Sequence, residues 1–209
     1  MPLQYICPIL FPKIDRHKIR LVCLVLLQVI AYDDVESFQS AWRKFSIVVV
    51  KGCHNHLTAS LWTPESLKND YKEKRFKVID SCSKRTMIMT SEEFYSLFDL
   101  EDPQKPWKVK DWPNSSEFEV VMRDRFCDFM NGLPLKGYTH SDGRLNLVHH
   151  LPVHLSRPDL GPKMFCALGQ TRKNRSATTR LHVDVGDAVN ILMHATSTLS
   201  HDGTCAIRY

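Results

Sequence analysis

Residues 178–195 read TTRLHVDVGDAVNILMHA. From Leu181 to Ala195 the stretch is a long, largely apolar run, which reads as a strand. Alternate residues of a strand face the same side, so His182 and Asp184 point together. An imidazole and a carboxylate two residues apart can take adjacent positions around one metal ion. They form two-thirds of the 2-His-1-carboxylate facial triad, the arrangement that holds Fe(II) while leaving positions open for cosubstrate and oxygen. His-x-Asp by itself is a weak signal, and a surface strand pair is its usual explanation. What surrounds the tripeptide decides its meaning.

Upstream of this run, short segments alternate with turn signals: Ser141-Asp142-Gly143, Arg157-Pro158-Asp159 and Gly161-Pro162. Met164 to Leu168 is a second, shorter apolar run. This grammar predicts a β-rich second half after Pro134. The first half reads as helices and strands in mixture. Val35, Phe38, Ala41 and Trp42 recur at helical spacing, and Ile47 to Val50 form a β-branched run read as a buried strand and closed by Gly52. Pro64 opens a short helix through Leu67 and Tyr71, at a position that tolerates proline. Phe76 to Ile79 alternates as a strand does. Thr90 or Ser91 caps a helix bearing Phe94, Leu97 and Phe98. The polar, proline-bearing stretch 101–113 reads as a surface loop. Asn114, with Glu117 three residues on, has the capping-box pattern of one long helix. That helix carries Phe118, Val121, Met122, Phe126, Phe129 and Met130, and Gly132 and Pro134 stop it.

Composition sets outer limits. The 209 residues are 43% hydrophobic and 24% charged, with a formal net charge of +5. A packed core is affordable in such a chain, and an acidic or mixed-charge partner suits it without nucleic acid being required. Seven cysteines are scattered with no C-x-x-C pair, which argues against a zinc finger and reads as reduced thiols of an intracellular protein. Residues 21–31, LVCLVLLQVIA, follow Lys13, Arg16, Lys18 and Arg20. The run is shorter than the about 20 residues that span a bilayer. It has the form of a signal peptide, yet no small-x-small cleavage site follows. A buried strand or helix, or a segment foreign to the domain behind it, is the simpler reading.

From about Asp33 onward the sequence resembles the JmjC domain of the lysine demethylase 3 subfamily, which includes the hairless-type corepressors. The stretches that carry the resemblance are FQSAWRKFSIVVVKG (38–52), SLWTPESL (60–67), VKDWP (109–113), FCDFMNGLPLKGYTHSDGRLNL (126–147), HLPVHLSRPDLGPKMFCALG (150–169) and TTRLHVDVGDAVNIL (178–192). They fall in the family's order. The RPDLGPKM block followed by TTxLHxDxxDAVN is the most specific part. Three segments result: a non-matching amino-terminal segment 1–32, a JmjC domain at 33–195, and a divergent tail at 196–209.

The resemblance implies an α+β to mainly β fold: the amino-terminal portion of a cupin-like double-stranded β-helix, the JmjC jelly roll, with helices before it. It implies an Fe(II)- and 2-oxoglutarate-dependent dioxygenase that removes methyl groups from the mono- or dimethylated ninth-position lysine of the histone H3 tail. The implied setting is the nucleus, with chromatin and transcription-factor complexes as partners and no membrane. His182 and Asp184 match the first two iron ligands. Thr179 matches the threonine that hydrogen-bonds the 2-oxoglutarate carboxylate, and simple strand propensity is its alternative. Asn190 lies an even number of residues from Asp184 and is a weaker cosubstrate contact, with a satisfied core amide as its alternative. No catalytic residue beyond the metal ligands is implied.

The family's second iron-binding histidine lies far downstream of the first two ligands. His194 and His201 are the histidines after Asp184. His194 shares the strand parity of His182 but stands too far along, and His201 would need a tight return. The lysine that pairs with the far carboxylate of 2-oxoglutarate has no counterpart in 196–204. The expectation is therefore a catalytically incomplete chain that does not turn over 2-oxoglutarate by itself. A non-catalytic corepressor module is the alternative. A third reading takes Lys163, Arg172, Lys173, Arg175 and Arg180 as a nucleic-acid patch, although most such runs are solvated surface.

Overall fold

The computed structural model describes residues 3–9, 28–45, 47–100, 105–113, 115–168, 187–195, 198–199 and 205–206. Its centre is a six-stranded antiparallel sheet. The strands are β1 (Leu3–Ile9), β4 (Arg75–Asp80), β5 (Thr86–Thr90), β6 (Trp107–Lys110), β7 (Lys163–Ala167) and β8 (Asp187–His194), in the order β5-β4-β6-β7-β1-β8. Two short strands, β2 (Gln28–Ile30) and β3 (Val48–Val50), pair in parallel apart from it. Thus β1 and β2, both from the segment 1–32, are hydrogen-bonded to strands of the remaining chain. In the tail, β9 (Thr198–Leu199) pairs with β10 (Cys205–Ala206).

Alternation along β4 sets up two faces. Phe76, Val78 and Asp80 are buried, while Arg75, Lys77 and Ile79 point the other way. The same division runs through β6, β7 and β8, where Val109, Met164, Cys166 and Ile191 face inward. Four helices cover that inward face: α2 (Pro64–Asp70), α3 (Ser91–Ser96), α4 (Ser115–Val121) and α5 (Arg123–Gly132). They deliver Leu67, Phe94, Tyr95, Phe118 and Phe129 to one cluster with the inward strand residues. Burying each large side chain contributes about 1.5–3 kcal/mol.

Local chemistry explains the helix starts. Pro64 occupies the first turn of α2, where its missing N–H costs nothing, and the Thr63 hydroxyl accepts from Ser66 N. Thr90 and Glu93 form a reciprocal capping box on α3. Arg125, only 3% exposed, ties α5 to α2: it donates to the carbonyl of Leu61, the Tyr71 hydroxyl, the Ser66 hydroxyl and Asp70. A second, smaller cluster joins Ile30, Phe38 of α1 (Val35–Trp42) and Leu135.

Four expectations are corrected. The stretch 101–113 is not a loop throughout, because Trp107–Lys110 is a strand whose Val109 enters the core while Lys108 and Lys110 stay outside. Two alternating residue pairs are too few to register against the surrounding polar residues. The long helix expected to run on from Asn114 is two helices, broken at Met122, whose backbone leaves the helical region (φ −130, ψ 51) so that its side chain can be fully buried. The segment after Pro134 is not strand-rich at first. Residues 135–162 hold a short helix, α6 (Lys136–Thr139), a 3₁₀ turn (Leu147–His150) and irregular backbone. Turn residues there join no strands; they close a loop on itself. The β3 strand is half-exposed rather than buried, with Val49 at the surface.

Candidate metal and cosubstrate site

The strand that follows the His-x-Asp motif is β8. Val189, Ile191 and Met193 pack into the core cluster, so the intervening Ala188, Asn190 and Leu192 belong to the opposite face. Asn190 is exposed there. The core-amide alternative for it is therefore corrected: its neighbours in the alternation, not Asn190, are the buried ones. His182, Asp184 and Thr179 lie outside the described residues. Asn190 and Lys163 both stand opposite Ile6 in the backbone register of β1. That places them at one level of the sheet, roughly 10 Å apart across two strand spacings.

The RPDLGPKM block is a rigid entry to β7. Gly161 has a left-handed backbone (φ +77). Asp159 accepts from Gly161 N at 3.1 Å and pairs with the Lys163 ammonium at 3.0 Å. Met164 and Cys166 then drop into the core, where Cys166 Sγ meets the Tyr95 hydroxyl at 3.2 Å. Full burial pushes the Cys166 thiol up to about 12, so it is neutral and unreactive. Cys53, Cys82, Cys127 and Cys166 are all free thiols, as the scattered cysteines led us to expect.

The THSDGRLNL segment is held by backbone fit. A Cβ at Gly143 would come within 2.5 Å of the Lys136 and Gly137 carbonyl oxygens. The Thr139 hydroxyl donates to the Pro134 carbonyl, and Asn146 donates to the His140 carbonyl. Asp142 stands 4.0 Å from a ring nitrogen of each of His140 and His149. An open hollow of about 380 Å³ lies between Lys136, His140, Asp142 and Arg144. Sequence reading passed over both features, since nothing in the spacing of the histidines pairs them with Asp142.

At the start of β8, Asp187 carries a buried carboxylate oxygen with no hydrogen-bond partner. Burial pushes its carboxyl up to about 6. Its parity is that of Val189 and Ile191, the covered side. At the strand's other end, burial lowers His194, and the chain's amino terminus adds to this. Asp187 and His194 stand at the two ends of this 8-residue strand, roughly 23 Å apart, more than one metal ion can bridge. Among the described residues, no three His, Cys, Asp or Glu side chains gather as metal ligands do. No helix among them is long and apolar enough to cross a membrane.

No protein-family model matches the chain. Human lysine-specific demethylase 3A is 38% identical to it over 168 residues, which is 75% of this chain and 13% of that protein. Lysine-specific demethylase 3 of Drosophila melanogaster is 32% identical over 167 residues, 75% of the chain and 19% of the relative. A human protein named probable JmjC domain-containing histone demethylation protein 2C is 32% identical over 167 residues, 7% of its length. The chain thus spans less than a fifth of each of these relatives. By these similarities, over the aligned three-quarters it is a JmjC-type protein. Within that class it belongs to the lysine-specific demethylase 3 family.

Proposed function

We propose that this chain carries the iron- and cosubstrate-binding part of a nuclear JmjC histone demethylase, built on a double-stranded β-helix, for the mono- or dimethylated ninth-position lysine of histone H3. The observation that carries the reading is homology over three-quarters of the chain to demethylases, in a sequence that keeps His182-x-Asp184 and Asn190. The donor set suits the group: a neutral imidazole and a carboxylate match the ligand preferences of Fe(II). His182 and Asp184 would hold the iron. Bound there with 2-oxoglutarate and oxygen, it supplies the oxidation of the lysine N-methyl group, which then leaves as formaldehyde.

The protein's own contribution is positioning. Asn190 is exposed on a strand whose alternate residues pack into the core. Its amide, a donor and acceptor on a rigid element, orients a 2-oxoglutarate carboxylate, and the Thr179 hydroxyl donates a second hydrogen bond. Histone and transcription-factor partners, chromatin and nuclear location follow from the same reading.

Anaerobic titration of the 209-residue chain with Fe(II), then 2-oxoglutarate, tests it. Wild type binds the metal; His182→Ala and Asp184→Ala abolish binding. Asn190→Ala weakens 2-oxoglutarate about tenfold, the cost of one hydrogen bond to a charged group, and leaves metal affinity unchanged. Equal metal uptake by wild type and the two variants, or none by wild type, overturns the proposal. The 209-residue chain is expected to release no formaldehyde from dimethylated H3 peptide; robust release would overturn the expectation that it is catalytically incomplete and exclude the corepressor alternative.

A further inference from the structure

Strand β5 ends the six-stranded sheet: among the described residues its ladder partner is β4 alone. Edge strands are usually blunted by a charge, a proline or a bulge. The stretch Thr86-Met87-Ile88-Met89-Thr90 has none of these, and its register with β4 runs unbroken. Met87 is 45% exposed and Ile88 is 59% exposed. The edge is therefore apolar, regular and open to a further strand.

The ends of the β4–β5 ladder fix the direction of each backbone group. Ser91 N–H donates to the Lys74 carbonyl, and Asp80 N–H donates to the Arg85 carbonyl. Opposed residues alternate between pairs that exchange hydrogen bonds and pairs that do not. Arg85, Met87, Met89 and Ser91 therefore turn their backbone groups toward β4, while Thr86, Ile88 and Thr90 turn theirs outward. At Thr90 the outward N–H is taken by the Glu93 carboxylate at 2.7 Å, and the carbonyl opens helix α3 as its cap. Thr86 and Ile88 keep the N–H and carbonyl groups that another strand can use. The edge is also polar in charge. A carboxylate covers its Thr90 end, and Lys84 and Arg85 stand at the other, with the Lys84 ammonium donating to the Ser81 carbonyl.

We propose that this edge is a self-pairing surface, on which two copies of the chain join β5 to β5, antiparallel, about a twofold axis at Met87. That register pairs Thr86 of each copy with Ile88 of the other, so both backbone groups of both residues are satisfied. It leaves the Thr90–Glu93 cap intact. It sets Lys84 opposite Thr90 of the other copy, facing the Glu93 carboxylate there. Charge is thus complementary at both ends, whereas a parallel alignment would set the basic ends side by side. The two Met87 residues meet on the axis as a pair without hydrogen bonds, where side chains approach most closely. Met87 has the strand parity of Met89, which packs against the core, so the covered layer continues across the axis. Such an isologous contact uses the same patch on both copies and closes at two. It does not depend on the metal site.

The test is sedimentation velocity of the 209-residue chain over a concentration series, read against the 24.2 kDa of one chain. Wild type passes from one copy to two as concentration rises. Ile88→Pro stays single throughout and keeps the wild-type circular dichroism, because an edge strand tolerates proline where its N–H faces outward. Lys84→Gln and Glu93→Gln, the latter still able to cap α3, each weaken pairing by about tenfold, the order expected for two exposed ion pairs. Together they weaken it no further, since each removes the same contact. Oxidised Met87→Cys gives a covalent dimer beyond the wild-type level, because Cα atoms about 4.5 Å apart lie within disulfide reach. That variant decides where Ile88→Pro is unfolded. A wild type that stays single, undiminished pairing in folded Ile88→Pro, or additive losses in the two charge variants overturns the proposal. So does a single-copy wild type that binds a synthetic peptide of residues 84–93, which would give the edge to a foreign strand.

Discussion

The two faces of one sheet treat charge in opposite ways. On the helix-covered side Arg125 is all but excluded from water, and four acceptors and the Tyr71 ring receive it: the Leu61 carbonyl, the Tyr71 hydroxyl, Ser66, Asp70 and the aromatic face at 4.9 Å. On the opposite side Lys77 and Lys110 are exposed, and Asp111 approaches Lys110 at 3.9 Å. A buried cation without partners would cost several kcal/mol, so the covered face completes its hydrogen bonding. An exposed cation is hydrated, so the opposite face needs no such set of partners. The comparison separates what the fold requires from what is left exposed.

The largest expected effect breaks the covered face. Phe94→Ala removes a fully buried ring packed edge-on to Phe76 and Tyr95, at a cost of about 3–5 kcal/mol. Ile88→Ala, on the opposite face and 59% exposed, changes the stability of the monomer by less than about 0.5 kcal/mol. Urea denaturation of the two variants measures the contrast directly. A next step exchanges the cations: Arg125→Ala is expected to cost about 3 kcal/mol, because four acceptors around it lose their donor. Lys77→Ala leaves the unfolding midpoint unchanged.

The smallest effect concerns Asp187, an unpartnered carboxyl on the covered side of β8. Its folded-state value of about 6 lies above the ordinary 3.8. The folded protein therefore keeps a proton that the unfolded chain has lost, and stability falls as pH rises from about 4 to about 6. Asp187→Asn is expected to flatten that decline, with the denaturation midpoint at pH 7 above wild type. A decline of the same size in the variant would show that another group causes it.

Much of the scaffold was legible because local rules acted undisturbed. Pro64 at a helix start, Thr90 as a helix cap, and the alternation of Phe76 and Val78 are all short-range effects, and all are seen. The strand Trp107–Lys110 was missed because a four-residue strand beside prolines resembles a loop until its partners β4 and β7 are in place. The break at Met122 was missed because helix periodicity continues across it, and only the packing of α4 and α5 against one sheet demands a change of direction. The His140–Asp142–His149 grouping depends on a loop closing where Gly143 admits no side chain.

The sequence by itself pointed to the family, through RPDLGPKM, His182-x-Asp184 and DAVN, because a pattern of residue types in fixed order needs no coordinates to be recognised. It also determined that Asn190 has the strand parity of Asp184. Tertiary structure decided which side of the sheet that parity means. Helices α2 to α5 pack on the Val189, Ile191 and Met193 side, and Asn190 is exposed. The reason is physical: alternation along a strand defines two faces, and only packing against another layer tells them apart.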